Sequence, residues 1–309
     1  MRRPPTRNPH RTRVVAGIIR DQAGRVLLSR RPEGVHQGGR WEFPGGKMEA
    51  GETPPQALAR ELEEELGLFP RHCRPFMTVD HDYADKSVRL CFREVLSWSG
   101  RPVGREGQAV DWFEASRLGA LTFPEANQPV VRALGLGDLL QVLPLNEPGW
   151  QQRLAAALAA GCALVYARGS TDPRLLRDVA GQCHDAGAMV MVATDPETFP
   201  ATGADVLHLP GARAAVIDDR PEVPLLSVAC HDEAELARAQ ALRADMVLLS
   251  PVQATASHPG AEPLGWQRFA QLATGQPFAV YAMGGLSPAD LDEARIHGAR
   301  GVAGIRGFG

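Results

Sequence analysis

Short runs rich in apolar residues, separated by turn-forming residues, recur along the first half of the chain. They occupy 13–19, 26–29, 88–95 and 109–113, with the polar turn 21–24 between the first two. Runs of this length that are bounded by turn signals are typical of strands. The first half is therefore predicted to be α+β, with a mixed sheet.

One stretch departs from this pattern and predicts a helix. After Pro54-Pro55 an apolar stripe recurs at helical spacing, and its members are Leu58, Leu62 and Leu66. At about 100° per residue, Glu61, Glu64 and Glu65 share a different face of the same helix. Carboxylates that close repel one another, so the arrangement favours a hard divalent cation among them. A solvated acidic helix face is the alternative, because most charge runs are of that kind.

The pattern changes in the second half, where short apolar runs alternate with helical stretches. Eight such runs begin near Leu139, Ala163, Met189, Val206, Leu225, Met246, Phe278 and Gly301. Alternation of this kind builds parallel βα units, so a (β/α)₈ barrel and an α/β protein overall are predicted. The barrel is expected to be short, because few residues follow Ala303 and almost no sequence remains for an eighth helix.

A boundary is predicted where a short helix at 129–134 runs into Gly135 and Gly137, which are interpreted as a helix stop and a linker. The predicted division, from the N-terminus, is a basic disordered tail, a first domain and a barrel, at residues 1–12, 13–136 and 137–309. The tail is predicted from its arginines and prolines and its lack of acidic residues.

Composition narrows the class of protein. Of the 309 residues, 44% are apolar and 22% are charged, which is typical of a soluble globular protein. No apolar run has transmembrane length, and the N-terminus lacks the apolar core of a signal peptide, so a cytoplasmic protein without membrane partners is expected. A net charge of −3 argues against direct nucleic-acid binding.

The spacing around the acidic helix matches a known motif. Gly46 is followed after five residues by Glu52, and after seven more by Arg60-Glu61-Leu62-Glu63-Glu64-Glu65, then Leu66 and Gly67-Leu68. This resembles the Nudix box at every defined position. The resemblance implies a metal ion held by the Gly46 carbonyl, Glu61, Glu64 and Glu65, with Glu52 and Arg60 in a structural pair. Oxygen ligands alone favour Mg²⁺ or Mn²⁺.

Segments outside the box resemble the MutT group of Nudix hydrolases, the 8-oxo-dGTP diphosphatases that sanitise the nucleotide pool and so support DNA repair. These segments read VAGII, LLSRRPEG, WEFPGGK, GREGQ and FPEANQPV. The resemblance implies a further metal carboxylate at Glu106 and a nucleotide site at Arg31, Phe43, Lys47 and Asn127. The implied reaction converts an oxidised purine nucleoside triphosphate to its monophosphate and pyrophosphate.

Several of these residues have plainer interpretations. Arg31 could be a surface arginine, Phe43 a core residue, and Asn127 a helix N-cap ahead of Pro129. The general base also stays open, because Glu61, Glu65 and Glu106 each offer a carboxylate.

The second half resembles thiamine phosphate synthase and its relative TenI, on VLLSPVQATASHPGAEPLGW, VYAMGGLSPADLDEA and HGARGVAG. The implied ligands are a thiazole phosphate or thiamine phosphate, with phosphate bound at Arg168, Gly284 and Gly285. The synthase pattern is incomplete: residues that this family has as lysine, aspartate and lysine stand here as Ser170, Arg213 and His258. The TenI serine-valine-histidine motif reads Ser227-Val228-Ala229.

The sequence therefore predicts a magnesium-dependent Nudix diphosphatase joined to a degenerate barrel. One alternative is a thiamine-pathway enzyme, either bifunctional or acting on a thiamine-related diphosphate. Another is a regulatory module that senses a nucleotide or a thiazole phosphate. His208 survives in the barrel, where a structural role and a catalytic role are both open.

Overall fold

The computed structural model describes residues 11–255, 260 and 262–308. The chain divides into two compact units: one runs to Gly135 and includes Gly275–Pro277, and the other begins at Leu136. Residues 1–10 of the predicted tail lie outside the described residues, while Thr12 already belongs to the first strand. No helix among the described residues is both long enough and apolar enough to cross a membrane.

The first unit contains two three-stranded sheets. Their strands are β1 (Thr12–Ile19), β2 (Val26–Arg30), β3 (Trp41–Glu42), β4 (Leu68–Asp82), β5 (Ser87–Gly100) and β6 (Val110–Phe113). One sheet has the order β1-β5-β4, with β1 parallel and β4 antiparallel to β5, and is the predicted mixed sheet. The other has the order β3-β2-β6 and is antiparallel.

The apolar pattern predicts β1, β2, β5 and β6 but misses β3 and β4. Strand β4 carries Pro70 and Pro75, and its pairing with β5 shifts register next to both prolines. Prolines and irregular burial interrupt the alternation from which a strand is predicted. The structure of such a strand depends on its pairing with the neighbouring strand. Strand β3 is only two residues long, which is too short to give a recognisable pattern.

The acidic helix is α1 (Pro54–Leu66), as predicted. It begins after Thr53, whose backbone N–H donates to Gln56 Oε1 at 2.9 Å, and ends at Gly67, where a φ of 66° favours glycine. Its leucine stripe is fully buried and packs in one cluster with β1 and β2 side chains, including Val15, Ile19 and Leu27. After β6, two 3₁₀ helices (Ala115–Ala120 and Glu125–Asn127) lead into α2 (Gln128–Gly135).

The second unit is a closed barrel of parallel strands, which confirms the predicted architecture. The strands are β7 (Leu139–Pro144), β8 (Leu164–Arg168), β9 (Met189–Val192), β10 (Val206–Leu209), β11 (Leu225–Cys230), β12 (Met246–Leu249), β13 (Ala279–Met283) and β14 (Gly301–Gly304). The helices are α3 (Trp150–Ala159), α4 (Pro173–Asp185), α5 (Phe199–Thr202), α6 (Gly211–Val216), α7 (Glu233–Ala241), α8 (Gly265–Ala273) and α9 (Leu291–Ile296). Residues 305–308, described after β14, form no helix.

Strand residues of the barrel alternate between two environments. Val165, Leu207 and Leu226 pack in the large cluster that also contains helix side chains such as Leu176 and Leu236. Their strand neighbours must therefore face the barrel interior, because successive side chains point to opposite faces of a strand. This alternation turns Tyr166, His208 and Ser227 inward.

Candidate active site

A single arginine ties the loop before α1 to the helix. Arg60 Nε lies 2.9 Å from Glu52 Oε1 and Nη2 lies 3.0 Å from Glu52 Oε2, so the pair is bidentate. Arg60 Nη2 also donates to the Lys47 carbonyl at 3.0 Å, and the Glu49 backbone N–H donates to Glu52 Oε2 at 2.8 Å. These hydrogen bonds, with Arg60 first, lower the pKa of Glu52 to about 2.

The same guanidinium also contacts the acidic face of α1. Arg60 Nη1 lies 3.0 Å from Glu61 Oε1 and 3.3 Å from Glu64 Oε2. The two acids differ in environment, because the Glu61 side chain is 13% exposed and that of Glu64 is 58% exposed. Burial raises the pKa of Glu61, against the lowering effect of Arg60.

Gly46 lies directly against the Glu61 carboxylate. A Cβ added at Gly46 would stand 2.3 Å from Glu61 Oε2, so only glycine permits this approach. The Gly46 carbonyl accepts a hydrogen bond from the Val15 N–H at 2.9 Å, which ties the loop to β1. A carbonyl oxygen has a second lone pair, so this bond leaves acceptor capacity for a cation.

Glu65 carries the most perturbed carboxylate of the cluster. Burial first, and then the charges of Glu61, Glu42 and Glu106, raise the pKa of Glu65 to about 8. A hydrogen bond from the Gly45 backbone acts in the opposite direction but does not offset them. The predicted metal carboxylates therefore lie within one another's electrostatic field.

The ligand chemistry of this cluster fits a hard divalent cation. Its donors are carboxylate and carbonyl oxygens, which Mg²⁺ and Mn²⁺ prefer, whereas zinc favours nitrogen and sulfur. The side chains are not preassembled: in the described part of the chain, no three His, Cys, Asp or Glu side chains are arranged to hold one metal ion. The raised pKa of Glu65 indicates that the protein groups alone disfavour its ionised form, which a cation would stabilise.

Sequence reasoning missed Glu42. It pairs with Arg31 Nη1, while Arg31 Nε donates to the His36 carbonyl at 3.1 Å. Burial raises the pKa of Glu42, and its charge acts on Glu65. Arg31 is thus held by two partners rather than lying free on the surface. The available signal in the sequence was the acid at position 42 between two aromatic residues.

The remaining residues predicted to bind the nucleotide or the metal differ in environment. Phe43 is 2% exposed and stacks on Phe123 with 5.7 Å between ring centroids, so it is a core residue. Asn127 is 5% exposed at the end of a 3₁₀ helix, and its side-chain amide makes no hydrogen bond to another described residue. Lys47 and Glu106 are exposed.

An aromatic group beside Asn127 was also missed. The Tyr83 hydroxyl accepts a hydrogen bond from the Ala126 N–H at 3.3 Å. The rings of His36 and His81 pack edge-on against Tyr83, at centroid distances of 4.9 and 4.4 Å. These residues lie between and within strands whose pairing the apolar pattern did not predict, so nothing in the sequence brought them together.

In the barrel, the predicted phosphate residues lie at the ends of two strands. Arg168 ends β8, and Gly284-Gly285 follows β13 with φ values of 100° and 72°. A Cβ at Gly284 would stand 2.7 Å from Pro251 Cα, so packing alone requires glycine at this position. The pair can still offer backbone N–H groups to an anion.

The departures from the synthase pattern have structural counterparts. Arg213 forms an ion pair with Asp195. Ser170 Oγ accepts a hydrogen bond from the Asp172 N–H at 3.2 Å, as a turn residue does. Position 258 lies outside the described residues.

Comparisons with known proteins find a matching family for each of the two units. Residues 15–133 match the NUDIX domain family, and residues 148–308 match the thiamine monophosphate synthase family, TMP-TENI. The 8-oxo-dGTP diphosphatase of Escherichia coli is 41% identical over 121 residues, which cover 39% of this chain and 94% of that protein. The chain belongs to the Nudix and thiamine monophosphate synthase families.

Two further relatives match the Nudix unit. The 8-oxo-dGTP diphosphatase of Haemophilus influenzae is 44% identical, covering 39% of this chain and 89% of that protein. The CTP pyrophosphohydrolase of Escherichia coli is 36% identical, covering 37% of this chain and 82% of that protein. The first unit is thus a Nudix hydrolase, an enzyme class that generally requires a divalent metal.

The Glu52–Arg60 pair should stabilise the Nudix unit in a pH-dependent way. The folded-state pKa of Glu52 lies below its ordinary value, so the stabilisation is complete above pH 4.5 and is lost as the pH falls towards 2. Glu52→Gln should therefore lower stability at pH 7, with the difference shrinking across that window. Urea unfolding followed by hydrogen exchange of α1 amides measures it, because those amides report on the Nudix unit.

The matched control is Glu49→Gln, which changes an exposed acid in the same loop. It should leave the unfolding midpoint unchanged. Equal effects of the two variants, or a Glu52→Gln deficit that persists at pH 2, would contradict the structural role of the pair.

Proposed function

We propose that the Nudix unit hydrolyses 8-oxo-dGTP, or a closely related oxidised purine nucleoside triphosphate, to the monophosphate and pyrophosphate. The observation that carries this proposal is the crowding of Glu61, Glu42 and Glu106 around the half-buried Glu65, which disfavours the ionised form of Glu65 unless a cation is present. The identity of 41–44% to 8-oxo-dGTP diphosphatases over most of their length supports the choice of substrate. A cytoplasmic location remains a prediction from composition.

The metal is proposed to be Mg²⁺ or Mn²⁺, held by the Gly46 carbonyl together with Glu61, Glu64, Glu65 and Glu106. Such an ion supplies the positive charge that stabilises phosphate oxygens during attack by water. The loop and helix that carry these ligands are fixed to each other by Arg60. Misplacement of this loop would therefore reduce the rate without removing any ligand.

Among the three candidate general bases, Glu65 is the one whose ionisation depends most on a cation, because burial and the neighbouring acids raise its pKa in the absence of metal. A cation bound beside Glu65 would favour the ionised form, which can accept a proton from water. Glu61 is restrained by Arg60, and Glu106 is exposed on a turn. We therefore place the water-activating carboxylate at Glu65, with Glu61 and Glu106 stabilising charge.

Asn127 is proposed to bind the purine edge. Its amide offers a donor and an acceptor, and an oxidised purine carries an additional carbonyl and a ring N–H that can satisfy both. The absence of a described hydrogen-bonding partner for this nearly buried amide supports the proposal. Arg31, held by Glu42 and the His36 carbonyl, would present its remaining N–H groups to the nucleotide.

The barrel is proposed to bind a small phosphorylated ligand through Arg168, Gly284 and Gly285 without making thiamine phosphate. A thiazole phosphate or thiamine phosphate is the expected ligand. Closing a carbon–nitrogen bond with release of diphosphate needs cations and a metal at the leaving group. Here Arg213 neutralises Asp195, and Ser170 caps a turn.

One specific observation favours a second candidate substrate. A CTP pyrophosphohydrolase is 36% identical to the Nudix unit, so a cytidine nucleotide fits the same level of similarity. A phosphate-release screen of the full chain should include 8-oxo-dGTP, dGTP, CTP and thiamine diphosphate. A preference for CTP or thiamine diphosphate would replace the proposed substrate while keeping the hydrolase.

The carboxylates of α1 provide the first test of the proposed reaction. Separate changes of Glu61, Glu64 and Glu65 to Gln should each lower kcat/KM for 8-oxo-dGTP on the order of a hundredfold, as expected for loss of one electrostatic catalytic group. Glu63→Gln is the matched control, since this exposed residue belongs to the same run but not to the proposed ligand set. A full rate in Glu64→Gln would remove Glu64 from that set, and equal losses in all four variants would contradict a specific site.

Asn127→Ala tests recognition of the base. Loss of the amide should reduce the preference for 8-oxo-dGTP over dGTP by about 1–3 kcal/mol, because base atoms lose their partner in a buried site. The ratio of kcat/KM values for the two nucleotides measures it, with the neighbouring Gln128→Ala as control. An unchanged ratio in Asn127→Ala would show that another residue reads the base.

A further inference from the structure

The turn that carries Glu106 is attached to the C-terminus of α1 by main-chain hydrogen bonds. The last carbonyls of a helix have no partner within the helix, so other groups must satisfy them. The Leu66 carbonyl accepts from the Val103 N–H at 3.1 Å, and the Glu65 carbonyl accepts from the Arg105 N–H at 2.9 Å. The segment between β5 and β6 therefore follows the end of α1, and Glu106 belongs to this segment.

Gln108 adds a connection that reaches both proposed acids. Its Oε1 accepts a hydrogen bond from the Glu106 backbone N–H at 2.9 Å, and its Nε2 donates to the Glu65 carbonyl at 3.2 Å. One amide side chain thus joins the main chain of Glu106 to the main chain of Glu65. A Cβ added at Gly104 would stand 2.0 Å from the Gln108 carbonyl oxygen, so the turn closes tightly on this residue.

The position of the Glu106 carboxylate depends on this connection. The Glu106 side chain is exposed, so little packing restrains it, whereas Gln108 is half-buried. The charge of Glu106 acts on the Glu65 carboxylate, so the two acids lie close enough to interact electrostatically. Ligands of one metal ion must be held at a set separation, and groups that hydrogen-bond to the residues carrying them commonly determine it.

We propose that Gln108 is a positioning residue that sets the separation between Glu65 and Glu106, and so determines how tightly the site binds a divalent cation. This inference rests on the proposed metal site and adds a residue that acts through the two acids. Without the amide, Val103 and Arg105 alone would attach the turn to α1. Glu106 would then adopt a wider range of positions, of which only some suit a shared cation.

The test is the affinity of the full chain for Mn²⁺, measured by electron paramagnetic resonance. Gln108→Met keeps the length of the side chain and removes both hydrogen bonds. It should weaken Mn²⁺ binding about tenfold, as expected when a group that orients a metal ligand is lost. Hydrogen exchange of the Glu106 amide should also become faster, because its N–H no longer has an acceptor.

Gln56→Met is the matched control, because it removes the same amide at the opposite end of α1. There Gln56 Oε1 accepts from the Thr53 N–H at 2.9 Å, so its loss also destabilises the helix. It should leave Mn²⁺ affinity and exchange at Glu106 unchanged. If Gln108→Met does not fold, Gln108→Asn takes its place, since this amide is too short to keep both hydrogen bonds.

A double-mutant cycle separates a positioning role from a general loss of stability. In a Glu106→Gln background, Gln108→Met should have little further effect on Mn²⁺ affinity, because the carboxylate that it positions is already gone. An undiminished loss in this background, or full affinity in Gln108→Met, would overturn the positioning role and leave the metal site intact. Full affinity in Glu106→Gln would instead remove Glu106 from the proposed ligand set, and the positioning role with it.

Discussion

The Arg60 guanidinium is the contact on which the candidate active site depends. It neutralises Glu52, restrains Glu61 and Glu64, and donates to the Lys47 carbonyl, so one side chain joins the glycine loop to the acidic helix. Like charges on a single helix face would otherwise repel, and the loop would be held by its backbone hydrogen bonds to β1 alone. Arg60 compensates only part of this charge, because Glu65 lies beyond its hydrogen bonds and is left with a raised pKa. Arg60 therefore holds the loop and the helix in position but does not stabilise the ionised form of Glu65. A bound cation would do so.

Sequence patterns predict those helices and strands of this protein whose formation depends on residues close together in the chain. The leucine stripe and the motif spacing give α1 within a residue, and eight apolar runs give the eight barrel strands. Strand β4 escapes prediction because its prolines interrupt the pattern and its partner β5 determines its pairing. Glu42 escapes for a related reason: its importance comes from Arg31 and Glu65, which lie far away in sequence. Contacts between distant residues are not visible in periodicity or spacing.

The barrel has the fold of its family, but the residues at its candidate site differ from the synthase pattern. Closed strand order and outward packing are intact, yet Arg213 pairs with Asp195 at the position where the synthase resemblance implies a second carboxylate for metal. Inside the barrel, Ser227 forms a hydrogen bond with His208 instead of belonging to a serine-valine-histidine motif. The fold thus belongs to the thiamine monophosphate synthase family, whereas the functional groups it presents are those of this chain.

The most direct test of the account is the binding of Mn²⁺ to the full chain, followed by electron paramagnetic resonance. If the carboxylates of α1 form a cation site, Glu65→Gln should weaken Mn²⁺ binding at least about tenfold, as expected from loss of one charged ligand, while Glu63→Gln should bind as the unmodified protein does. Equal Mn²⁺ affinity in the unmodified protein and in Glu65→Gln would contradict the central claim that the crowded carboxylates exist to hold a divalent cation.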